Sequence, residues 1–290
     1  LGLGTASLGH FFSDVSEAQA TRVVHDALDK DVRLIDTAPH YDATLVETRV
    51  GKALHSRPRE SFVLATKVGR LIDPDGARRF DFSREGVMES LTGSLTRLQV
   101  EHVDIVHLHD PAPEHLSQIL ASGFPALATL RDRGEIRAIG IGTMETRIVD
   151  QLIDEIDIDC CMIAGQYTLL NQAARTTIDR CRARGIAVFL AGVYNTGILA
   201  TGVRESAWSQ YRSAPPQVIE RVRQIEMICA DHNVPIRAAA VQFAAAYPGV
   251  ESLVIGAESP DQLAENIQAM QVAVPLSLWS DLHQAGLIEN

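Results

Sequence analysis

Four polar residues stand where short apolar runs end. They are Asp36 after Leu34-Ile35, Lys67 after Leu64-Ala65-Thr66, His109 after Val106-His107-Leu108, and Gln166 after Cys161–Ala164. Tyr41 closes the segment Asp36-Thr-Ala-Pro-His-Tyr41. Each alone has an ordinary structural explanation. A strand-end Asp forms turns, and a strand-end Lys runs its stem out to solvent. Together they compose an acid/base centre. A free Tyr titrates at about 10, too high to exchange its proton readily at neutral pH. An ammonium beside the phenol favours phenolate and lowers that value. Lys67 can supply the ammonium, and Asp36 can fix it by a charge-assisted bond. His109 can donate to a substrate oxygen. This is chemistry for interconverting a carbonyl and an alcohol. The sequence offers no metal triad and no nucleophilic serine elbow, so the hydride exchange implies a nicotinamide cofactor. His10, His40 and His107 read as structural.

Such a centre needs elements that bring strand ends together. Strand-like runs occur near residues 1–4, 33, 63, 104, 138, 162, 187 and 253, with helical patterns between them. Ser16-Glu-Ala-Gln19 reads as a capping box with Gln19 reaching back, followed by Ala20, Val23, Val24, Ala27 and Leu28 on one helical face. Further helices are expected over 45–54, from Ser83, over 124–133, 145–153, 171–184, 218–230 and 237–246, and after Ser259-Pro260. The tail 275–287 reads as a helical appendage. Eight strands alternating with helices, without a Gly/Ser linker, predict one α/β domain over 1–290. A closed (β/α)8 TIM barrel fits better than an open doubly wound sheet. Gly2-Leu-Gly4 lacks the third glycine of a dinucleotide fingerprint and opens no helix. In a barrel, strand C-terminal ends share one mouth, where catalytic groups gather.

Composition narrows the partners. The 290 residues hold 26 Lys+Arg and 37 Asp+Glu, a formal charge of −11. That argues against nucleic acid and anionic membranes, which need clustered cations. No apolar run approaches the ~20 residues of a membrane span. Cys160, Cys161, Cys181 and Cys229 have no zinc-ligand spacing and read as buried free thiols, as in a cytoplasmic protein. The chain opens at Leu1 without Met, so a few leading residues are expected to be missing.

The sequence resembles the aldo-keto reductase superfamily over essentially its whole length. The family tetrad falls on Asp36, Tyr41, Lys67 and His109, and its carboxamide-binding Gln on Gln166 in Gly165-Gln-Tyr167. Its adenosine-side motif resembles Ile255-Gly-Ala-Glu-Ser-Pro-Asp-Gln-Leu-Ala-Glu-Asn266. The resemblance implies cofactor contacts at Gly4, Thr5, Asp36, Thr143, Gln166, Gly192, Gly256, Glu258, Gln262, Glu265 and Asn266. Three passages, 165–170, 193–200 and 279–288, look most like the bacterial branch of D-threo-aldose 1-dehydrogenases and L-fucose dehydrogenases, which also contains pyridoxal 4-dehydrogenase. The family's Ser-Asn after strand five becomes Gly142-Thr143, so the carboxamide would rest more on Gln166. No residue is assigned to stack on the nicotinamide; Ala191-Gly192 stands near the family's Tyr position and Tyr194 is close by. The last loop lacks the Lys and Arg that hold a 2′-phosphate, so NAD is expected over NADP.

The implied activity is oxidation of a sugar hemiacetal at C1 to a lactone, with Tyr41 as base. An NADPH carbonyl reductase is the alternative, as is a pyridoxal 4-dehydrogenase-like activity. A Schiff-base aldolase through Lys67 and a cofactor-sensing binding protein are more distant readings. The partner is a small sugar or aldehyde; the oligomeric state is unread. Specificity is expected in loops 8–14, 69–81 and 195–216, with Phe11, Phe12, Trp208 and Tyr211 as pocket walls.

Overall fold

The computed structural model describes residues 1–10, 13–73, 75–204, 208–209 and 212–289. Eight parallel strands close into a barrel: β1 (Gly2–Gly4), β2 (Leu34–Asp36), β3 (Val63–Val68), β4 (Ile105–His109), β5 (Ala138–Thr143), β6 (Cys160–Ala164), β7 (Ala187–Ala191) and β8 (Val250–Gly256). Each pairs with the next in sequence, and β8 closes on β1, with Gly4 opposite both Gly256 and Asp36. The ring predicted from the alternation is the ring observed.

Parallel neighbours need crossovers, and amphipathic helices supply them. They include α1 (Glu17–Asp29), α2 (Leu45–Leu54), α3 (Arg84–Leu98), α4 (Phe124–Asp132), α5 (Thr146–Leu152), α6 (Arg175–Ala183), α7 (Pro216–Asp231) and α8 (Ile236–Ala245), and α9 (Pro260–Ala269) follows the last strand. The C-terminal α10 (Leu276–Gln284) packs on α7. The main apolar core lies between strands and helices. A smaller cluster, built on Ala65, Ile105 and Cys160, fills the barrel interior. All four cysteines are buried with free thiols. Among the described residues, no helix is long and apolar enough to cross a membrane.

Local expectations mostly match, with instructive exceptions. Ser16 caps α1, accepting from the Gln19 N–H at 3.2 Å. Gln19 does not reach back; its Nε2 donates to the Glu258 carbonyl at 2.7 Å. The loop after β8 lies over this helix terminus and takes the side chain. Helix α6 starts at Arg175, later than expected, because Asn171 and Gln172 turn their amides onto the preceding loop. Loop 69–81 holds an unforeseen antiparallel hairpin, Arg70–Ile72 against Arg78–Phe80. Gly69 starts it at φ +92°, and a Cβ there would meet the Phe82 ring at 2.1 Å. Phe11, Phe12 and Tyr211 lie outside the described residues. Of Trp208 only the backbone is described, paired with Ser213.

Candidate active site

Strand β2 ends on Asp36, β4 ends on His109, and Lys67 is next to last in β3. Register places Lys67 beside His107 and His109 beside Gly142. Asp36, Lys67 and His109 thus meet at one end of the barrel. Lys67 Nζ donates to Asp36 Oδ1 at 2.7 Å, to Oδ2 at 2.6 Å and to the Thr37 carbonyl at 2.9 Å. Both residues are almost fully buried. Burial opposes the lysine's charge, but the Asp36 carboxylate and the Tyr41 phenol hold the ammonium above the ordinary lysine range. The Lys67 nitrogen lies 4.8 Å from the centre of the Tyr41 ring. The Tyr41 and His109 rings stand edge to face at 6.0 Å. Burial, and then the positive charges of Lys67 and Arg70, push His109 well below its usual range, so it is neutral. Its Nε2 is 3.8 Å from Asp110, beyond hydrogen-bond reach, and its buried Nδ1 has no partner. The ring keeps a donor for a bound oxygen.

The supporting contacts come from distant segments. Thr5 donates from both N–H and Oγ1 to the Asp36 carbonyl, at 3.0 and 2.9 Å. It is fully buried, so its hydroxyl is engaged in positioning Asp36. Behind β3, Thr66 Oγ1 donates to Glu47 at 2.6 Å, and Arg97 pairs with the same carboxylate at 2.7 Å. Tyr41 is followed by three left-handed non-glycine residues, Asp42, Ala43 and Thr44, at φ +47°, +47° and +77°. Thr44, β-branched and without a side-chain cap bond, is the most strained. Thr44→Gly is expected to stabilise the protein by about 1 kcal/mol, seen as a Tm rise of roughly 2–4 °C in a calorimetric melt. A lower Tm would show that the turn is not strained there.

The opposite side of the mouth suits a dinucleotide. Gln166 Oε1 accepts from Asn171 at 3.0 Å, leaving its amide N–H groups to donate. The stacked rings of Tyr167 and Phe243, 5.3 Å apart, pin the Gln166 loop to α8 and, through Trp279, to α10. Thr143 Oγ1 accepts from the Glu145 N–H at 2.9 Å and keeps its proton. Gly192 and Gly256 are open at the mouth, with Gly4 half-buried beside them. Gly192 has φ +64°, and a Cβ would project to 3.2 Å from the Gly165 nitrogen. These bare backbones form a cradle that side chains would fill, and the residues present fit a nicotinamide dinucleotide.

On the adenosine side, Gln262 Oε1 accepts from the Glu258 N–H at 2.9 Å, and its own N–H is capped by Ser259 at 3.2 Å. Asn266 donates to the Gly256 carbonyl at 3.2 Å. Arg237, from α8, arrives here unforeseen. It pairs with Glu265 at 2.8 Å and donates to Asn266 at 2.9 Å. Its guanidinium also covers the Tyr194 ring at 5.7 Å, so that buried tyrosine offers no open face beside Gly192. Sequence distance hid this arginine; only ring closure brings α8 beside α9.

Residues 1–285 match the Aldo/keto reductase family, and the chain belongs to it. It is accordingly an NAD(P)-linked oxidoreductase of carbonyl compounds. It is 36% identical to D-threo-aldose 1-dehydrogenase of a Pseudomonas species, over 99% of this chain and 94% of that one. It is 34% identical to pyridoxal 4-dehydrogenase of Microbacterium luteolum, over 99% and 94%. An aldo-keto reductase from Bacillus halodurans in its holo form superposes with a TM-score of 0.82, at 26% identity, over 100% and 92%.

Proposed function

We propose that this chain is a cytoplasmic aldose dehydrogenase that oxidises a cyclic hemiacetal at C1 to a lactone, using NAD. The observation that carries it is the buried Lys67 ammonium, bound to both Asp36 oxygens and 4.8 Å from the Tyr41 ring. Kinship with D-threo-aldose 1-dehydrogenase supports the substrate class. When bound, the nicotinamide supplies the hydride acceptor. Lys67 stabilises the Tyr41 phenolate, which takes the proton of the C1 hydroxyl while hydride leaves C1. Neutral His109 donates to the reacting oxygen and fixes its place. Thr143 and Gln166 would hold the carboxamide, with Gly4, Gly192 and Gly256 making room for it and its diphosphate. In the reverse direction Tyr41 is the acid. A Schiff base at Lys67 is disfavoured, because three acceptors hold its N–H groups and keep the amine charged.

NAD is the preferred cofactor on this reading. A 2′-phosphate carries close to two negative charges and needs cationic partners. Glu258 would repel it, and its carboxylate would accept from the ribose hydroxyl instead. Arg237, which the structure brings to Glu265 and Asn266, is already paired with Glu265, and Arg204 lines the same cavity. NAD is expected over NADP by at least about tenfold in kcat/KM. Glu258→Arg, alone or with Gln262→Arg, narrows or inverts the ratio. Initial rates with each cofactor, at saturating L-fucose and sub-saturating cofactor, decide it; equal rates or an NADP advantage would refute the assignment. Failure to turn over any aldose with either cofactor would refute the substrate class.

A further inference from the structure

We propose that His40 is a specificity-determining residue whose Nδ1–H binds a hydroxyl on the carbon next to the reacting one. The inference rests on the carbonyl–alcohol site described above and names the substrates it favours: α-hydroxy aldehydes and their cyclic hemiacetals. His40 precedes Tyr41 in the chain. Its ring stands edge-on to His109, 5.9 Å between centroids, as the Tyr41 ring does at 6.0 Å. His40 and Tyr41 thus both stand against the His109 ring.

The tautomer of His40 is settled by its neighbour. Arg70 Nη2 lies 2.8 Å from His40 Nε2. A guanidinium only donates, so Nε2 must present its lone pair and the ring proton sits on Nδ1. Arg70 is itself fixed by Asp110 at 2.7 Å, across the hairpin from the end of β4. Burial, and then the charges of Arg70 and Arg78, push His40 down to about 4, so the ring stays a neutral donor at neutral pH. The Nδ1 atom is buried and has no hydrogen-bond partner. A buried donor without an acceptor is unfavourable, and each such group calls for a partner. Its placement beside the proton-exchanging phenol and the oxygen-binding His109 makes a substrate hydroxyl that partner. An aldehyde without the neighbouring hydroxyl leaves the donor unpaired, and sites built this way discriminate against such analogues.

The test compares lactaldehyde with propanal, which differ by that one hydroxyl, in NADH-dependent reduction. The readout is the ratio of their kcat/KM values. Wild type is expected to favour lactaldehyde. His40→Leu, close in size and without a donor, should lower the ratio by about tenfold. His40→Asn, which can return an N–H near the Nδ1 position, should restore most of it. A ratio in His40→Leu within about twofold of wild type would overturn the proposal and leave the carbonyl–alcohol reading standing. Wild type showing no preference for lactaldehyde would overturn the proposal as well.

Discussion

Tyr41→Phe is expected to abolish turnover while leaving cofactor binding intact. The substitution removes only the hydroxyl that exchanges the proton. The ring, and with it the edge-to-face contact to His109 at 6.0 Å, is kept. The Lys67–Asp36 pair holds itself together through its own two bonds, so the site stays assembled. General acid–base groups contribute roughly 10²–10⁴-fold, and kcat should fall by that amount. The dissociation constant for NADH, followed by fluorescence, should change little, because the substitution leaves every residue assigned to the cofactor untouched. Turnover within about threefold of wild type would show that another group moves the proton.

The second large effect concerns pH. In the oxidative direction Tyr41 must be phenolate, so the rate rises with pH through the phenol's pKa. The Lys67 ammonium favours the anion, which places that limb lower than for an isolated Tyr. Lys67→Met removes the charge and should move the limb up by about 1–3 pH units while lowering the maximum rate. The single variant leaves Asp36, whose carboxyl burial already pushes above its usual range, without its counter-charge in a buried place, which is destabilising. The double variant Asp36→Asn with Lys67→Met removes both charges and should show the same upward shift in a better-folded protein. An unchanged profile in either folded variant would make the lysine structural. Borohydride trapping of a carbonyl substrate on Lys67 would instead establish the Schiff base.

What the sequence shows and hides follows from the range of the contacts involved. Strands β1–β8 were legible because apolar runs too short for helices alternate with amphipathic ones. Asp36, Lys67 and His109 stood out because charged or titratable residues at strand ends break an otherwise apolar pattern. The capping of α1 by Ser16 and of α9 by Ser259 is local and was legible for that reason. Contacts across the ring carry no local signature. Gln19 satisfies the Glu258 carbonyl 239 residues away, and Arg237 meets Asn266 from another helix. The hairpin at 70–80 pairs arginine-rich segments that read as loop, yet it delivers Arg70 to His40 and Asp110. The bond from the Thr5 hydroxyl to the Asp36 carbonyl is likewise visible only once β1 closes on β2.

The central claim is that hydride passes directly between C1 of the sugar and the nicotinamide. L-Fucose deuterated at C1 tests it. Incubation with the wild-type protein and NAD should give reduced cofactor carrying the deuterium at C4 of the nicotinamide, one label for each lactone formed. Reduced cofactor without the label, or deuterium recovered in the solvent, would contradict the account.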